Sequence, residues 1–272
     1  MSVRLSVVVP TLTSNVAEIR RRVEGWRTVF VENGVRPRFV VVVQNPDAPD
    51  VKITETDVTV HVTPKRSVSH ARNIGLRSLT GGHVLFLDDD VQLTPSFVQF
   101  VSSQIGKTSM IAGRLTWNRW LRQRGLVHYT KCVYLNLFAV VFDCAAIRAH
   151  QLQFDESFGL GDEIRWKSGE DALFLFHYLT ATKTRSFLFN PDALVDHPPR
   201  NLTEERQKII DYALGQGRTW KHLVGAAPNW GISIYLRLLF AGTLASNIVR
   251  IPSQPGLRTR AFANRLVGYF HG

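Results

Sequence analysis

Residues 83–91 read HVLFLDDDV, a mostly apolar run of five residues that leads directly into three aspartates. A short apolar run bounded by turn signals indicates a buried β-strand. Three adjacent carboxylates repel one another, so their place at the end of a buried strand needs a physical reason. Either these acids form a solvated turn, or a positively charged group lies among them. The answer decides whether this strand end is a plain turn or a binding site.

Strands and helices are predicted to alternate in the residues before this stretch. Short β-branched runs predict buried strands, and apolar residues at helical spacing, closed by glycine, predict helices. The predicted segments are a strand at 5–10, a helix at 16–34, strands at 39–43 and 58–62, a helix at 68–82 and a strand at 83–87. This order is typical of a mostly parallel sheet covered by helices, in which ligands bind at the carboxyl ends of the strands.

The rest of the chain continues the α/β pattern and then becomes helical. The predicted segments are a helix at 93–105, a strand at 110–115, a long basic and aromatic loop at 116–131 and a strand at 137–143. From about residue 200 onward the pattern is helical. We therefore predict an α/β domain over residues 1–200, followed by a helical, basic C-terminal extension over residues 201–272.

The composition is that of an ordinary soluble globular protein. Of the 272 residues, 44% are hydrophobic and 20% are charged, which provides for a sizeable core. Cys132 and Cys144 form neither a metal-binding spacing nor a disulfide framework, which favours a reducing, cytoplasmic setting. The apolar run near the amino terminus is ended by Pro10 and is shorter than a signal peptide requires.

The net charge of +11 is unevenly distributed along the chain. Between Ala213 and Gly272 there is no Asp or Glu, whereas seven Lys or Arg residues are present. Such a segment favours a polyanionic surface as partner, either nucleic acid or anionic lipid. A solvated basic face without a specific partner has the same composition and stays open as an alternative.

An apolar segment lies within this basic part, at residues 231–249. It is about long enough to span a bilayer. However, Arg237 lies inside it, and a central arginine costs roughly 2.5–3.5 kcal/mol on insertion. We therefore expect an interfacial or buried amphipathic helix, with the surrounding basic residues at anionic headgroups.

The three aspartates match the chemistry of a divalent-metal site. Hard cations such as Mg²⁺ and Mn²⁺ bind carboxylate oxygens and keep positions open for phosphate. On extended backbone, Asp88 and Asp90 point to the same side, whereas Asp89 points away. An exposed acidic turn is the alternative, but three acids at the end of a core strand are costly unless they are paired.

Five segments of the chain resemble motifs of the family-2 nucleotide-sugar glycosyltransferases, which have the GT-A fold. They are, in the order found in that family, LSVVVPTL, FVVVVQNP, SVSHARNIGL, HVLFLDDDV and SGEDALFLFHYL. The resemblance covers roughly residues 5–200. It implies a GT-A, Rossmann-like fold and transfer of a sugar from a nucleotide diphosphate sugar to an acceptor hydroxyl with inversion. It also implies a divalent metal, manganese or magnesium.

The resemblance assigns roles to the acids. Asp88 is expected near the ribose of the donor, with Asp89 in the same nucleotide-sugar site, and Asp90 as the main metal ligand. In KSGEDALFLF (167–176), Asp171 is expected to act as the base that takes the acceptor proton, with Glu170 in support. Acids in the first turn of a helix are also favoured by its dipole alone. That dipole and a nearby cation are expected to keep Asp171 ionised.

Further nucleotide-sugar contacts are expected around the first two strands. Arg72 could contact the base or the diphosphate, and Pro10 and Thr11 are expected to border the base pocket. At the end of the second strand, Gln44 and Asn45 replace the acid that is usual in the family. An amide both donates and accepts, so Gln44 could still bind a base edge. This departure weakens any assignment of a uridine-based donor.

Two more residues complete the expected site. His197, in ALVDHPPR (193–200), is a candidate third metal ligand beside Asp90 and Asp88, although a lone histidine is as often structural. Trp166, in a Gly-rich stretch before the second acidic motif, is a candidate acceptor contact.

The expected partners are a nucleotide diphosphate sugar, a glycan or lipid-linked acceptor and an anionic membrane surface. This places the protein in the cytoplasm, peripheral at the inner face of the cell membrane, in cell-surface polysaccharide or lipid-linked glycan synthesis. A nucleotidyltransferase is one alternative, but it would need a Gly-rich basic loop where this chain has PTLTSN. A basic nucleic-acid-binding protein is another, but no motif supports it, and the three acids would repel phosphate unless a metal is bound.

Overall fold

The computed structural model describes residues 4–45, 51, 53–116, 118, 121–197 and 202–271. Within these residues, nine strands form one sheet with the order β3-β2-β1-β4-β8-β6-β9-β5, and β7 also pairs with β9, at residues 186–189. The strands are β1 Leu5–Thr11, β2 Arg38–Gln44, β3 Val58–Thr63, β4 His83–Phe86, β5 Gln92–Leu93, β6 Met110–Leu115, β7 Gly125–His128, β8 Val140–Asp143 and β9 Ser186–Asp196.

Helices cover the sheet and make up the C-terminal part. They are α1 Val16–Glu32, α2 Val68–Arg77, α3 Pro95–Gln104, α4 Cys144–Ala149, α5 Glu170–Ala181, α6 Leu202–Gly225, α7 Trp230–Arg250 and α8 Pro255–His271. Short 3₁₀ segments lie at Tyr129–Tyr134, Leu137–Ala139 and Ile251–Ser253. The predicted α/β fold class with a helical C-terminal part is confirmed, while the predicted boundary between residues 200 and 201 lies outside the described residues.

The sheet is mixed, and its parallel half carries the residues of interest. β3, β2, β1 and β4 run parallel to one another, so their carboxyl ends meet at one edge. β8 runs antiparallel to both of its neighbours, and β6 and β9 are again parallel. Because ligands of open α/β sheets bind at the carboxyl ends of the strands, this edge is the expected site.

Two apolar cores lie on opposite faces of the sheet. Along β1, Val8 packs into one core and Val7 and Val9 into the other, since successive side chains of a strand point to opposite faces. The first core is covered by α2, α5 and α6, and the second by α1 and α3. Burial on both faces explains why the strands of the parallel half are nearly continuous apolar runs.

The predicted helix starts have a clear physical basis. The Asn15 side chain accepts hydrogen bonds from the amides of Ala17 and Glu18 and so caps α1. Thr94 caps α3, and Pro95 occupies its first turn, where a missing amide proton costs nothing.

The predicted loop at 116–131 and the segments after it differ from the structure. β7 lies inside that loop and pairs with β9, an 11-residue strand that the sequence did not indicate. β9 contains Asn190, Pro191 and Asp192, which are typical of a turn, and its register with β6 shifts between Ala112 and Arg114. The predicted strand at 137–143 begins with a 3₁₀ turn and is extended only from Val140.

The helical C-terminal part packs closely together. A Cβ atom at Gly217 of α6 would lie 2.1 Å from the carbonyl oxygen of Arg265, and one at Gly268 of α8 would lie 2.0 Å from that of Leu214. α6 and α8 therefore approach each other at positions where only hydrogen fits. α6 also contacts the α/β part, since Ser168 Oγ donates to the carbonyl of Tyr212 at 2.8 Å.

Candidate active site

The carboxyl edge of the parallel strands brings several of the expected nucleotide-sugar residues together. Thr11 ends β1, Gln44 ends β2, and both are buried. Asp88 follows β4 one residue after Leu87, whose amide still donates to the carbonyl of Val8 in β1. Pro10 lies in β1 opposite Val42, and Asn45 follows Gln44.

The three adjacent aspartates are each directed to a different partner. Asp88 Oδ1 accepts from Arg72 Nη2 at 2.9 Å. Asp89 Oδ2 accepts from Thr11 Oγ1 at 2.6 Å, and Asp90 Oδ2 lies 3.2 Å from His197 Nε2. The predicted extended backbone is not observed, because residues 89 and 90 form a turn that spreads the carboxylates.

Arg22 of α1 also binds Asp89, through a hydrogen bond and an ion pair. Its Nη1 atom lies 2.6 Å from the Asp89 carbonyl oxygen and 2.9 Å from Asp89 Oδ2. A cavity of about 460 Å³ lies beside this contact, between α1 and residues 89–93. Nothing in the sequence distinguishes Arg22, because it is one of three consecutive arginines on an amphipathic helix.

Arg72 of α2 is the centre of the site. Its side chain is 3% exposed, and its Nη1 atom lies 2.7 Å from Asp171 Oδ1 and 3.5 Å from Glu170 Oε1. The opposite nitrogen binds Asp88, so one guanidinium joins the acids after β4 to the acids that begin α5. The guanidinium carbon lies over the face of the Phe154 ring, 5.4 Å from its centroid, and the ring shields that side of the guanidinium from water. Contact of Arg72 with a nucleotide stays a prediction.

Burial controls the protonation of this cluster. Burial raises the pKa of Glu170 to about 8, the Asp171 carboxylate adds to this, and Arg72 opposes it. Burial also raises the pKa of Asp171, again against Arg72. This direction differs from the expectation that the helix dipole and a nearby cation would dominate. Burial alone would lower the pKa of Arg72, but the three carboxylates raise it, so the guanidinium stays charged. Three acids around one cation form a site that readily takes up a proton.

The start of α5 fixes the position of both acids. Gly169 precedes Glu170 with a φ of +108°, a conformation that residues with a side chain rarely adopt. A Cβ atom at Gly169 would also lie 1.7 Å from Thr219 Oγ1 of α6. α6 therefore packs directly against the turn that leads into Glu170 and Asp171. This contact could not be predicted, because α6 is about fifty residues further along the chain.

Asp90 and His197 are the pair that fits a divalent metal. They supply one carboxylate and one imidazole at the edge of the site, and Mg²⁺ is commonly held by one or two carboxylates together with substrate phosphates. Asp88 Oδ1 binds Arg72 instead of this pair, so a role for Asp88 as a metal ligand stays a prediction. Across the described ranges, no group of three or more His, Cys, Asp or Glu side chains is arranged to hold a metal ion. A metal site here would therefore need oxygens from the substrate.

Trp166 is buried, four residues before Glu170 in the chain. Its ring stacks on Phe158, with centroids 6.3 Å apart, and two guanidinium groups lie near it, those of Arg165 at 4.5 Å and Arg218 at 5.7 Å. Arg218 comes from α6, so the C-terminal part contributes to this region. The role of Trp166 in acceptor binding stays a prediction.

Glu156 forms a polar network that the sequence analysis did not identify. Its carboxylate lies 3.0 Å from His70 Nδ1 and 2.6 Å from Lys65 Nζ, and it accepts from Asn73 Nδ2 at 3.2 Å. Burial alone would raise the pKa of Glu156, but these hydrogen bonds lower it to about 2. The network fixes the segment before Trp166 to α2, the helix that carries Arg72.

Solved structures with the same arrangement of elements include three of S. aureus TarS residues 1–349. The first matches with a TM-score of 0.60 at 16% identity, covering 98% of this chain and 81% of that one. The complex with UDP-GlcNAc matches with a TM-score of 0.61 at 17% identity and the same coverage. The complex with UDP matches with a TM-score of 0.53 at 13% identity, covering 98% of this chain and 90% of that one.

The chain has a GT-A-like glycosyltransferase fold. This agrees with the fold that the five sequence motifs imply. No family model matches the chain, and no curated protein sequence matches it either. The GT-A-like fold is therefore established by structural likeness over nearly the whole chain, while membership of a particular family is not.

Proposed function

We propose that the protein transfers a sugar from a nucleotide diphosphate sugar to an acceptor hydroxyl, with inversion at the anomeric carbon. The observation that carries the proposal is the position of Asp171, held 2.7 Å from Arg72 at the same edge of the sheet as Asp88. The Asp171 carboxylate is half-buried, so an acceptor hydroxyl can reach it beside the residues expected to hold the donor. The structural likeness to TarS bound to UDP-GlcNAc supports a nucleotide-sugar donor.

The proposed reaction is a single displacement. The Asp171 carboxylate accepts the proton of the acceptor hydroxyl while the hydroxyl oxygen forms a bond to the anomeric carbon. The bond from that carbon to the diphosphate breaks, and the nucleoside diphosphate leaves with the electron pair. Because burial raises the pKa of Asp171, its carboxylate is a stronger base than an ordinary aspartate. Glu170 is proposed to support Asp171, since its carboxylate lies 3.5 Å from the same guanidinium nitrogen of Arg72.

The donor is proposed to lie along the carboxyl edge of β1, β2 and β4. Gln44 and Asn45 would face the base, Pro10 and Thr11 would border it, and Asp88 would bind the ribose. Thr11 and Asp89 are already joined by a 2.6 Å hydrogen bond, which gives this edge a fixed shape before the donor binds.

A divalent cation, Mn²⁺ or Mg²⁺, is proposed as cofactor, with Asp90 and His197 as its protein ligands. When bound, the metal would compensate for the negative charge of the departing diphosphate. The proposed acceptor is a glycan or a lipid-linked saccharide at the cytoplasmic face of the cell membrane, as in the synthesis of a cell-surface polymer.

A thermal-shift panel tests the donor class. UDP, GDP, dTDP and CMP are each added with Mn²⁺ and with EDTA, and one nucleoside diphosphate is expected to raise Tm in the presence of the metal. Radiolabelled or mass-detected release of that nucleoside diphosphate from the matching sugar donor then tests turnover. A protein that binds none of the nucleotides, but shifts on DNA or RNA in a salt-sensitive gel assay, would overturn the proposal.

A further inference from the structure

Helix α7 exposes a continuous apolar face. Successive residues of an α-helix are about 100° apart around the axis, so residues four apart lie on one side. Trp230, Ile234 and Leu238 follow this spacing, and their exposed fractions are 79%, 47% and 66%. Further along the same face are Ala241, Ala245, Ile248 and Val249, all exposed. The face is about 100° wide, as expected for an apolar stripe that packs against another phase.

The opposite side of α7 is fixed to the protein. Its buried residues are Leu236, Phe240 and Asn247. Asn247 Oδ1 accepts from Arg265 Nη1 of α8 at 3.2 Å, and the same guanidinium donates to Gln216 of α6 at 2.6 Å. This buried polar contact ties α6, α7 and α8 together.

α7 is long enough to cross a bilayer, but its contacts oppose that arrangement. In the described part of the chain, the segment Trp230–Ser253 is the one helical stretch of sufficient length and apolar character, with a hydropathy of 1.5. Only 17% of its most apolar window is buried, so it is not an ordinary core helix. A spanning helix would carry Arg237 into the hydrocarbon and would separate Asn247 from Arg265. A helix that lies in the membrane interface leaves Arg237 among the polar headgroups and preserves the hydrogen bond between Asn247 and Arg265.

The Lys, Arg, Asp and Glu residues of α7 and α8 are all arginines. Arg237 lies at the edge of the exposed face, and Arg250 and Arg260 are exposed on α7 and α8. Lys131 reaches the amino-terminal half of α7, with its Nζ atom 5.7 Å from the ring centroid of Tyr235. Since no acid occurs between residues 213 and 272, the surroundings of this face are complementary to negatively charged headgroups.

We propose that the exposed face of α7 docks onto the surface of an anionic lipid bilayer and lies in the interface without crossing it. Tyr269 of α8 accepts a hydrogen bond from Arg237 at 3.4 Å, and the ring of Phe270, which is 65% exposed, lies 5.1 Å from the Tyr269 ring. A second copy of the chain is a poorer occupant, because two such surfaces would bring like charges together. The proposal stands independently of the reaction proposed above.

The docking surface is joined to the catalytic cluster. α7 packs on α6, α6 contacts Gly169 through Thr219, and Gly169 begins the helix of Asp171. A bilayer bound to α7 would therefore hold the catalytic acids at a fixed height above the headgroups. This suits an acceptor that is itself anchored in the membrane.

Vesicle sedimentation tests the proposal with the full chain. One set of vesicles is phosphatidylcholine alone, and the other contains about 30 mol% phosphatidylglycerol, which carries the negative surface potential. We expect partitioning onto the anionic vesicles that weakens as salt is added. Leu238→Ser is expected to lower the partition coefficient by about tenfold, the change that corresponds to losing burial of one large apolar side chain.

The matched control is Leu126→Ser on β7, because Leu126 is also 66% exposed but lies outside the C-terminal helices. It should partition like the wild type, and both variants should keep the wild-type Tm. Equal losses in the two variants, or salt-independent binding to neutral vesicles, would overturn the proposal. Resistance to alkaline carbonate extraction would show a spanning helix instead. A dimer in light scattering that Leu238→Ser converts to monomer would show a second copy as the occupant.

Discussion

Arg72 Nη1 donates to Asp171 Oδ1 at 2.7 Å and so connects two helices that are 99 residues apart in sequence. The guanidinium is buried above Phe154 and also binds Asp88, so its orientation is fixed from three sides. The proposed base is therefore held by a cation that cannot lose its proton under ordinary conditions. This contact orients the Asp171 carboxylate and opposes the rise in its pKa that burial causes.

Asp171→Asn is expected to preserve donor binding and to lower kcat by about 10²–10⁴-fold, the usual contribution of a positioned general base. The amide is nearly isosteric but cannot accept the acceptor proton. Donor affinity is measured by thermal shift or calorimetry, and kcat by release of the nucleoside diphosphate. Asp192→Asn is the control, since Asp192 is an exposed aspartate paired with Arg124 on the surface. Near-wild-type turnover in Asp171→Asn would assign the base to Glu170 instead.

Arg72→Gln is expected to move the acidic limb of the kcat–pH profile to higher pH by about one unit or more, because an adjacent cation lowers a carboxyl pKa by that amount. Without the guanidinium, burial raises the pKa values of Asp171 and Glu170 further. Activity should fall at neutral pH and partly recover in alkaline buffer. Arg72→Lys keeps the positive charge and should shift the limb less. A loss of activity that is the same at every pH would show that Arg72 has only a structural role.

Glu156 should stabilise the fold above pH 4.5 and lose this effect in acid. Its pKa is about 2 in the folded chain, against an ordinary value of 4.5, so the folded state favours the charged form. The contribution is therefore complete above pH 4.5 and disappears as the pH falls through 2. In Glu156→Gln, Tm should lie below that of the wild type at neutral pH, and the difference should shrink in acid. Glu163→Gln, at an exposed position of the same loop, should show no such pattern.

The sequence predicted the parallel half of the fold well, because β1, β2 and β4 are buried on both faces and therefore appear as continuous apolar runs. It did not predict β9, since the polar residues Asn190 and Asp192 around a proline suggest a turn. This segment is extended because it pairs with β6 and β7, which are distant in the sequence.

The same distinction applies to the site. Asp88, Asp90 and Asp171 are marked by local motifs, so their positions at strand and helix ends could be predicted. That the three aspartates diverge depends on a turn at residues 89 and 90 and on three partners, Thr11, Arg72 and His197. Nothing in the local sequence indicates such long-range pairing, and nothing there indicates the close packing of Thr219 against Gly169.

Gly169→Ala is expected to destabilise the fold more than Gly34→Ala. Both glycines have positive φ, +108° and +76°, which costs a residue with a Cβ atom about 1–2 kcal/mol. Around Gly34 the space within 4 Å of an added Cβ is empty, whereas at Gly169 the Cβ meets Thr219 Oγ1. The clash should add about 1–3 kcal/mol in denaturant unfolding. Thr219→Ala should recover part of the loss in Gly169→Ala; equal losses in the two glycine variants would contradict this packing.

Asp90→Asn and His197→Asn are expected to remove the metal-dependent part of nucleotide binding. The two side chains lie 3.2 Å apart; Asp90→Asn removes the carboxylate charge that attracts a cation, and His197→Asn removes the imidazole nitrogen. The measurement is the rise in Tm that Mn²⁺ adds in the presence of the preferred nucleoside diphosphate. Each single variant should lose most of this rise, and the double variant should lose little more, because two ligands of one ion act as a unit.

If the pair is only a hydrogen bond, the variants will lower Tm without nucleotide and leave the Mn²⁺ effect intact. EDTA should bring the wild type to the level of the variants, and a wild type unaffected by EDTA would exclude a metal at this pair.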